Sequence, residues 1–391
     1  MIDRVTAGLL PDKPHTVLRA PDGALLYEEM FTRRGFDGPF SCFYHRFPVT
    51  SHREVSLSER GWPPPNPDPV APRPLRRRLY DSGRLAPGGM LVDRRVPILF
   101  NDDVTVLLAR PDSTDDVYFA NGDGDELWLV QEGRARVESP CGWLRVDSGD
   151  YAWIPKGMVH RWHVETPLRL FGFEVRAGVS IPAHYRNPIG QIRDDAPYSH
   201  RDFVRPVGPI ATMDQTLDGP RELLVKKGGA FTRYALEHPP MDVVGWEGFV
   251  YPFAFAIEKF QPVTAPVHLP PTVHATFEGR GIVICSFVPR PVDYHRQAIP
   301  CPYPHSSVDC DEVILYLRGD FISRRSVGPG TISLHPAGVA HGPHPGAYEA
   351  SLGMKRTEEL AVMCDTFAPL APTAQAANIE EAGYHESWQR K

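Results

Sequence analysis

Two histidines and a carboxylate, His305, Glu312 and His341, are of the types and in the order that can make a metal-ligand set. Two neutral imidazoles and one carboxylate hold a divalent ion from one side and leave the opposite positions open, the pattern of non-haem Fe(II) oxygenases. Zinc takes the same donor types in hydrolases, so ligand identity alone does not choose the metal. Asp311 competes with Glu312 as the carboxylate, because neighbours on a strand point to opposite faces. The longer reach of glutamate favours Glu312. His335 lies six residues before His341, an even spacing that can keep both on one face. His268, in VHLPPTVHATF, is a candidate proton acceptor, since an imidazole near its ordinary pKa suits that task. His274 and His344 stand beside these two as secondary candidates.

The elements that must position these residues occur twice. DELWLVQEG (Asp125 to Gly133) and GDYAWIPKGMVH (Gly149 to His160) are matched by DEVILYLRG (Asp311 to Gly319) and GTISLHPAGVAH (Gly330 to His341). Asp-Glu recurs at an offset of 186 residues and the closing His at 181. The difference falls in the connection between the halves, where insertions cost little. Apolar runs of this length between turn residues predict strands with at least one buried face. A double-stranded β-helix, or jelly roll, lets carboxylate and imidazole from separate strands meet inside one barrel. The fold class is therefore mainly β, with two such barrels. Only the second copy has a complete ligand set: seven residues before Glu312 stands His305, whereas seven before Glu126 stands Phe119. Glu126, His160 and His163 are a weaker constellation in the first copy, which is expected to be metal-free scaffold.

The chain has 391 residues, with 42 prolines and 33 glycines, enough to bury one or two cores and rich in turns. The repeat favours two cores. Residues 1–87 are expected to hold short strands, among them LLYEEMF and SCFYHRFPV, and an extended Pro-rich strap, Trp62 to Pro74. The first barrel spans 88–177, a connection 178–245, the second, catalytic barrel 246–367, and a tail 368–391 whose helix is capped by Thr373. A net charge of −6 gives no electrostatic case for nucleic acid. Arg73, Arg76, Arg77 and Arg78 are expected to form a solvated or oligomer-facing loop. No signal-peptide pattern and no transmembrane-length apolar run are visible, which predicts a soluble, cytoplasmic protein without membrane contact. Six scattered cysteines predict reduced thiols.

The second half, in PYPHSSVDCDEVILYLRG, ISLHPAGVAHGPHPG and VHLPPTVHATF, resembles the homogentisate 1,2-dioxygenases, two-barrel cupin enzymes of tyrosine and phenylalanine catabolism. The first half is similar in LYEEMF, NGDGDELWLVQEG, IPKGMVH and NPIGQIRDD, so the likeness spans most of the chain. It implies Fe(II) on His305, Glu312 and His341, with His268 as the catalytic acid-base and His335 as a further pocket residue. Aligning on Arg318-Gly319 places the carboxylate at Glu312 and needs a one-residue gap. After Arg-Gly many members carry a tyrosine near the substrate, where this chain has Asp320-Phe321. The substrate-binding positions implied are His335, Phe321 and His341. The activity implied is ring cleavage of homogentisate to maleylacetoacetate by dioxygen. Phe321 keeps open another hydroquinone or a gentisate-like acid, because a lost hydroxyl removes an orienting hydrogen bond. A non-catalytic metabolite-binding bicupin and a zinc hydrolase or isomerase are the readings outside that class. The resemblance also implies a homo-oligomer, a trimer or dimer of trimers, with the tail free to pack on a neighbour.

Overall fold

Alternating apolar residues between glycine turns give strands throughout, and the computed structural model describes residues 2–68, 74–209 and 219–389. Part of the Pro-rich strap and Arg73 lie outside the described residues. The strap's described end runs beside the C-terminal segment, where Pro67 bridges Thr373. Among the described residues no helix is long and apolar enough to cross a membrane, and all six cysteines are free thiols.

Two sheets carry the repeat. In the first barrel, Asp125–Ser139 pairs with Asp150–Ile154 and Arg161–Val175. In the second, Asp311–Arg318 pairs with Thr331–His335 and Leu360–Thr366. Each barrel then completes its sheet with a strand from the segment leading into the other. Phe253–Ala256 pairs with Asp150–Ile154 of the first barrel. Arg78–Asp81 pairs with Thr331–His335 of the second. The exchange caps edges that would otherwise expose unpaired backbone groups. It also crosses the linear division of the chain. Phe253–Ala256, inside the 246–367 segment, hydrogen-bonds in the first barrel. Val243–Gly248 joins an N-terminal sheet with Phe40–His45 and Val5–Gly8.

The two barrels share one large core between their sheets, beside smaller separate clusters around Phe119 in the first and around Ile314 and Tyr316 in the second. Trp128, Tyr151, Phe171 and Phe255 from the first sheet are continuous with Phe277, Val313, Ile332 and Val362 from the second. The exchanged strands press the two sheets together, and Tyr151 Oη meets Ser286 Oγ at 2.9 Å between them. The segment read as a connection contributes a hairpin, Glu222–Lys227 with Ala230–Leu236, which covers the first barrel beside Tyr118–Asn121.

The tail departs from a simple helix. Thr373 does cap it, accepting from Ala376 N at 3.2 Å, but the helix Ala374–Ala377 is one turn long. Beyond it the chain pairs with the exchanged strand: Asp81 N donates to Ile379 O, and Glu381 N to Leu79 O. The basic run is what anchors this pairing. Arg78 and Arg76 hold Glu380 at 2.8 and 3.1 Å, and Arg77 lies 4.3 Å from the Trp388 ring. Arg76, Arg77 and Arg78 therefore form an intramolecular contact rather than a solvated loop, and the tail packs on its own chain.

Candidate metal centre

His305 and His341 are set side by side by the backbone, each donating its N–H to the other's carbonyl at 2.7 and 2.8 Å. Their ring centroids are 4.3 Å apart. His341 Nδ1 faces the Val339 carbonyl at 3.0 Å, so it carries the proton and Nε2 is left as a lone-pair donor. That Nε2 is buried and has no partner. Glu312 comes from the start of the adjoining strand, and its Oε2 lies 3.9 Å from both His305 Nε2 and His341 Nε2. One ligand atom from each residue falls within 4.8 Å of the others. The 3.9 Å separations from Glu312 to each imidazole can be spanned by one ion about 2.0–2.2 Å from each donor. The orphaned imidazole nitrogen and the donor set thus suit a divalent metal.

Strand alternation decides between the two carboxylates. Asp311 points the other way and accepts from Ala337 N and Leu370 N, both at 2.7 Å. Its counterpart Asp125 does the same work in the first barrel, accepting from Lys156 N at 2.8 Å and Val179 N at 2.9 Å. The repeated Asp-Glu pair thus divides into a turn-tying aspartate and an inward glutamate.

The two oxygens of Glu312 have separate partners. Oε1 accepts from His335 Nδ1 at 2.6 Å and lies 3.6 Å from Arg324 Nη2. Burial opposes ionisation of Glu312, but the His335 hydrogen bond and the Arg324 charge hold its pKa down to about 2. Burial, with Arg324 adding to it, pushes His335 down to about 4. At neutral pH the pair is therefore a carboxylate and a neutral, donating imidazole. His335, expected at the substrate, is fully buried with Nδ1 on Glu312 and Nε2 without a partner, and it does not line the cavity beside the trio.

A cavity of about 90 Å³ opens beside the trio, lined among others by His268, Tyr303, His305, Glu312, Phe321 and Arg324. His268 Nδ1 faces Asp293 Oδ2 at 3.5 Å, and its ring stands edge-on to Tyr303. Burial lowers its pKa, with Asp293 pulling the other way, so the ring is neutral near pH 7. Phe321 packs against Tyr316 with centroids 4.7 Å apart. His341 lies beside His305 and is not part of the cavity wall. His274 shares the cavity, its pKa pressed to about 3 by burial and Arg290. His344 stands off, stacked on Trp388. A larger open cleft, about 890 Å³, lies between Arg33 and Arg280, and no candidate residue of the second barrel lines it.

Arg324 and Trp388 were not visible as candidates. Arg324 sits in an irregular stretch after Gly319 with no strand periodicity to place it, and it reaches Glu312 only through tertiary structure.

The first barrel repeats the frame with different chemistry. Phe119 and His160 exchange the same backbone hydrogen bonds as His305 and His341, at 2.8 and 2.9 Å. Where the second barrel has a second imidazole, the first has the phenyl ring, and Arg95 comes in against Glu126. The Arg95 guanidinium lies 4.5 Å from the Trp62 and Phe119 ring centres and 5.3 Å from Trp128. Glu126 also accepts from Asn121 at 2.9 Å and Trp128 Nε1 at 3.0 Å. His163 is elsewhere, 2.7 Å from Glu138. A protein cation thus satisfies the carboxylate that a metal would otherwise need.

Residues 104–257 match the family model described as homogentisate 1,2-dioxygenase N-terminal. A protein of Saccharolobus solfataricus, provisionally described as a dioxygenase, is 35% identical over 384 residues, covering 97% of each chain. A homogentisate 1,2-dioxygenase of Rhodopseudomonas palustris is 30% identical over 291 residues, 70% of this chain and 63% of that enzyme. The chain thus spans somewhat less than two thirds of that relative's length. Among solved structures, a cupin 2 barrel protein of Leptotrichia buccalis matches 74% of this chain and 96% of its own, at 10% identity and a TM-score of 0.33. The repeat, the exchanged barrels and these sequence matches agree: the chain belongs to the homogentisate 1,2-dioxygenase family of two-barrel proteins.

Proposed function

We propose that this protein is an Fe(II)-dependent dioxygenase that opens a 1,4-dihydroxylated aromatic ring, with homogentisate as substrate and maleylacetoacetate as product. The observation that carries the reading is the convergence of His305, Glu312 and His341 at the edge of a cavity that also holds His268. The relatives named as homogentisate dioxygenases support the substrate class. The trio would hold the iron, which when bound supplies open coordination positions and redox chemistry with dioxygen.

The chain's own residues do the rest. Tyr303, Phe321 and Ile314 give the cavity apolar surfaces for an aromatic ring. With Nδ1 turned to Asp293, His268 has Nε2 left to accept the phenolic proton, and the ring is neutral and able to take it. His335 does not touch substrate in this reading; it holds Glu312 in place through Oε1. Holding ring, proton acceptor and ligand set in one small volume supplies the orientation that a bimolecular encounter lacks.

Phe321 supports a second substrate within the same class. It lines the cavity with a phenyl ring that offers no hydrogen bond to a carboxylate or phenol, which keeps gentisate-like acids and simpler hydroquinones in view. Dioxygen uptake in a competition between homogentisate, gentisate and substituted hydroquinones separates the two. Highest kcat/KM on homogentisate supports the first reading, and highest on another ring supports the second. No uptake on any of them by iron-loaded protein overturns both.

A further inference from the structure

The oxygen that Glu312 presents to a metal is selected from behind. Oε2 faces His305 and His341, while Oε1 is held by His335 and faced by Arg324. Arg324 lies in a stretch without regular structure; its guanidinium donates to Gly342 O, and its backbone is held by further contacts. His344 staples that stretch on both sides of Arg324: its backbone N–H donates to Ser323 O at 2.9 Å, and its Nδ1 accepts from Arg325 N at 3.3 Å. The His344 ring is stacked on Trp388, centroids 3.8 Å apart, and its Nε2 meets Ser387 Oγ at 2.9 Å. The same indole faces the Arg324 guanidinium at 5.7 Å and stands edge-on to His335 at 6.1 Å. Its own position is set by Arg77 and by the anchoring of Glu380 to Arg76 and Arg78.

We propose that Trp388 is a positioning residue for the metal carboxylate, acting from the C-terminal segment through His344 and Arg324, a role that rests on the metal-site reading of the trio. The indole face is the working part. It stacks on the imidazole that staples the Arg324 stretch, and it gives the guanidinium a surface to lie near without competing for its hydrogen bonds. Residues that orient a ligand from outside it typically change metal affinity by about 10–100-fold when removed.

The test uses Co(II) titrated into the full chain freed of metal, reading both affinity and the visible absorption bands of the bound ion. Trp388→Leu keeps apolar volume and removes the ring face. It is expected to weaken Co(II) by about 10-fold or more and to displace the bands, whereas Trp388→Phe stays within about 3-fold of wild type. Identical affinity and bands in Trp388→Leu and wild type, even with a lowered melting temperature, would overturn the proposal and leave Trp388 a structural residue. So would equal losses in the Leu and Phe variants, since the ring face would then be irrelevant. Should Trp388→Leu fail to fold, His344→Gln removes the stacked ring instead: displaced bands support the relay, and unchanged ones overturn it. Wild-type protein that binds no Co(II) strikes the metal-site reading itself, which the wild-type titration reveals before any variant is compared.

Discussion

Replacing Arg95 by leucine should leave Glu126 buried without the guanidinium that faces it. Arg95 and Glu126 have side chains only 1% exposed, so solvent cannot take over the guanidinium's work. Breaking such a pair from one side costs about 3–5 kcal/mol. The pKa of Glu126 reports the combined work of its partners, with Arg95 foremost. Burial opposes ionisation of Glu126, yet Arg95, His160 and Trp128 bring its pKa from 4.5 to about 2. At about 1.4 kcal/mol per unit, that shift corresponds to about 3 kcal/mol of stability. The sign follows from the depressed value: this stability is present above pH 4.5 and is lost as pH falls through 2. In Arg95→Leu the remaining burial raises the Glu126 pKa instead, so the penalty should grow as pH rises. The assay is urea unfolding followed by circular dichroism at pH 5 and pH 8. Arg95→Leu should lose about 3 kcal/mol or more at pH 8 and less at pH 5. Adding Glu126→Gln should restore most of the loss, because the amide no longer needs a counter-charge. A loss below about 1 kcal/mol in the single variant, equal at both pH values, would refute the reasoning that Arg95 supplies the charge.

Two further outcomes follow from geometry elsewhere in the chain. His268→Ala should retain iron while kcat falls about 10²–10⁴-fold, measured by metal analysis and dioxygen uptake on the same preparation; unchanged turnover would remove His268 from the mechanism. In the N-terminal sheet, burial of His45 is outweighed by hydrogen bonds to Asp242 at 2.8 Å and Glu29 at 3.1 Å, which raise its pKa to about 9. A raised value means full stabilisation below pH 6.5, lost as pH rises through 9. Wild type should therefore exceed His45→Gln by about 3 kcal/mol at pH 6, a margin that shrinks towards pH 9 in urea unfolding.

The site was legible because the repeat supplies its own comparison. His305 stands where the other copy has Phe119, and the structure shows the two in the same backbone bridge. Period-two alternation separates Asp311 from Glu312 but cannot say which face is inside. The hydrogen bonds to Ala337 and Leu370 settle that, and they span 26 and 59 residues. Even spacing puts His335 on the face of His341 without revealing its depth, and its hydrogen bond to Glu312 spans 23 residues, beyond the reach of local pattern. Arg95, Arg324 and Trp388 carry no local signal, since each acts on a residue brought near only by folding. The exchanged strands were missed for the same reason: Arg78–Asp81 and Phe253–Ala256 look like strands of whichever barrel they precede. The tail's alanine-rich start favours helix, but pairing with Leu79 and Asp81 ends it after one turn.

Iron content tests the account most directly, measured per chain after anaerobic loading of wild type, Glu312→Ala and Asp311→Asn. One ferrous ion in wild type, none retained in Glu312→Ala and one retained in Asp311→Asn is the predicted result. Iron held equally by Glu312→Ala, or absent from wild type, would contradict the assignment of this centre.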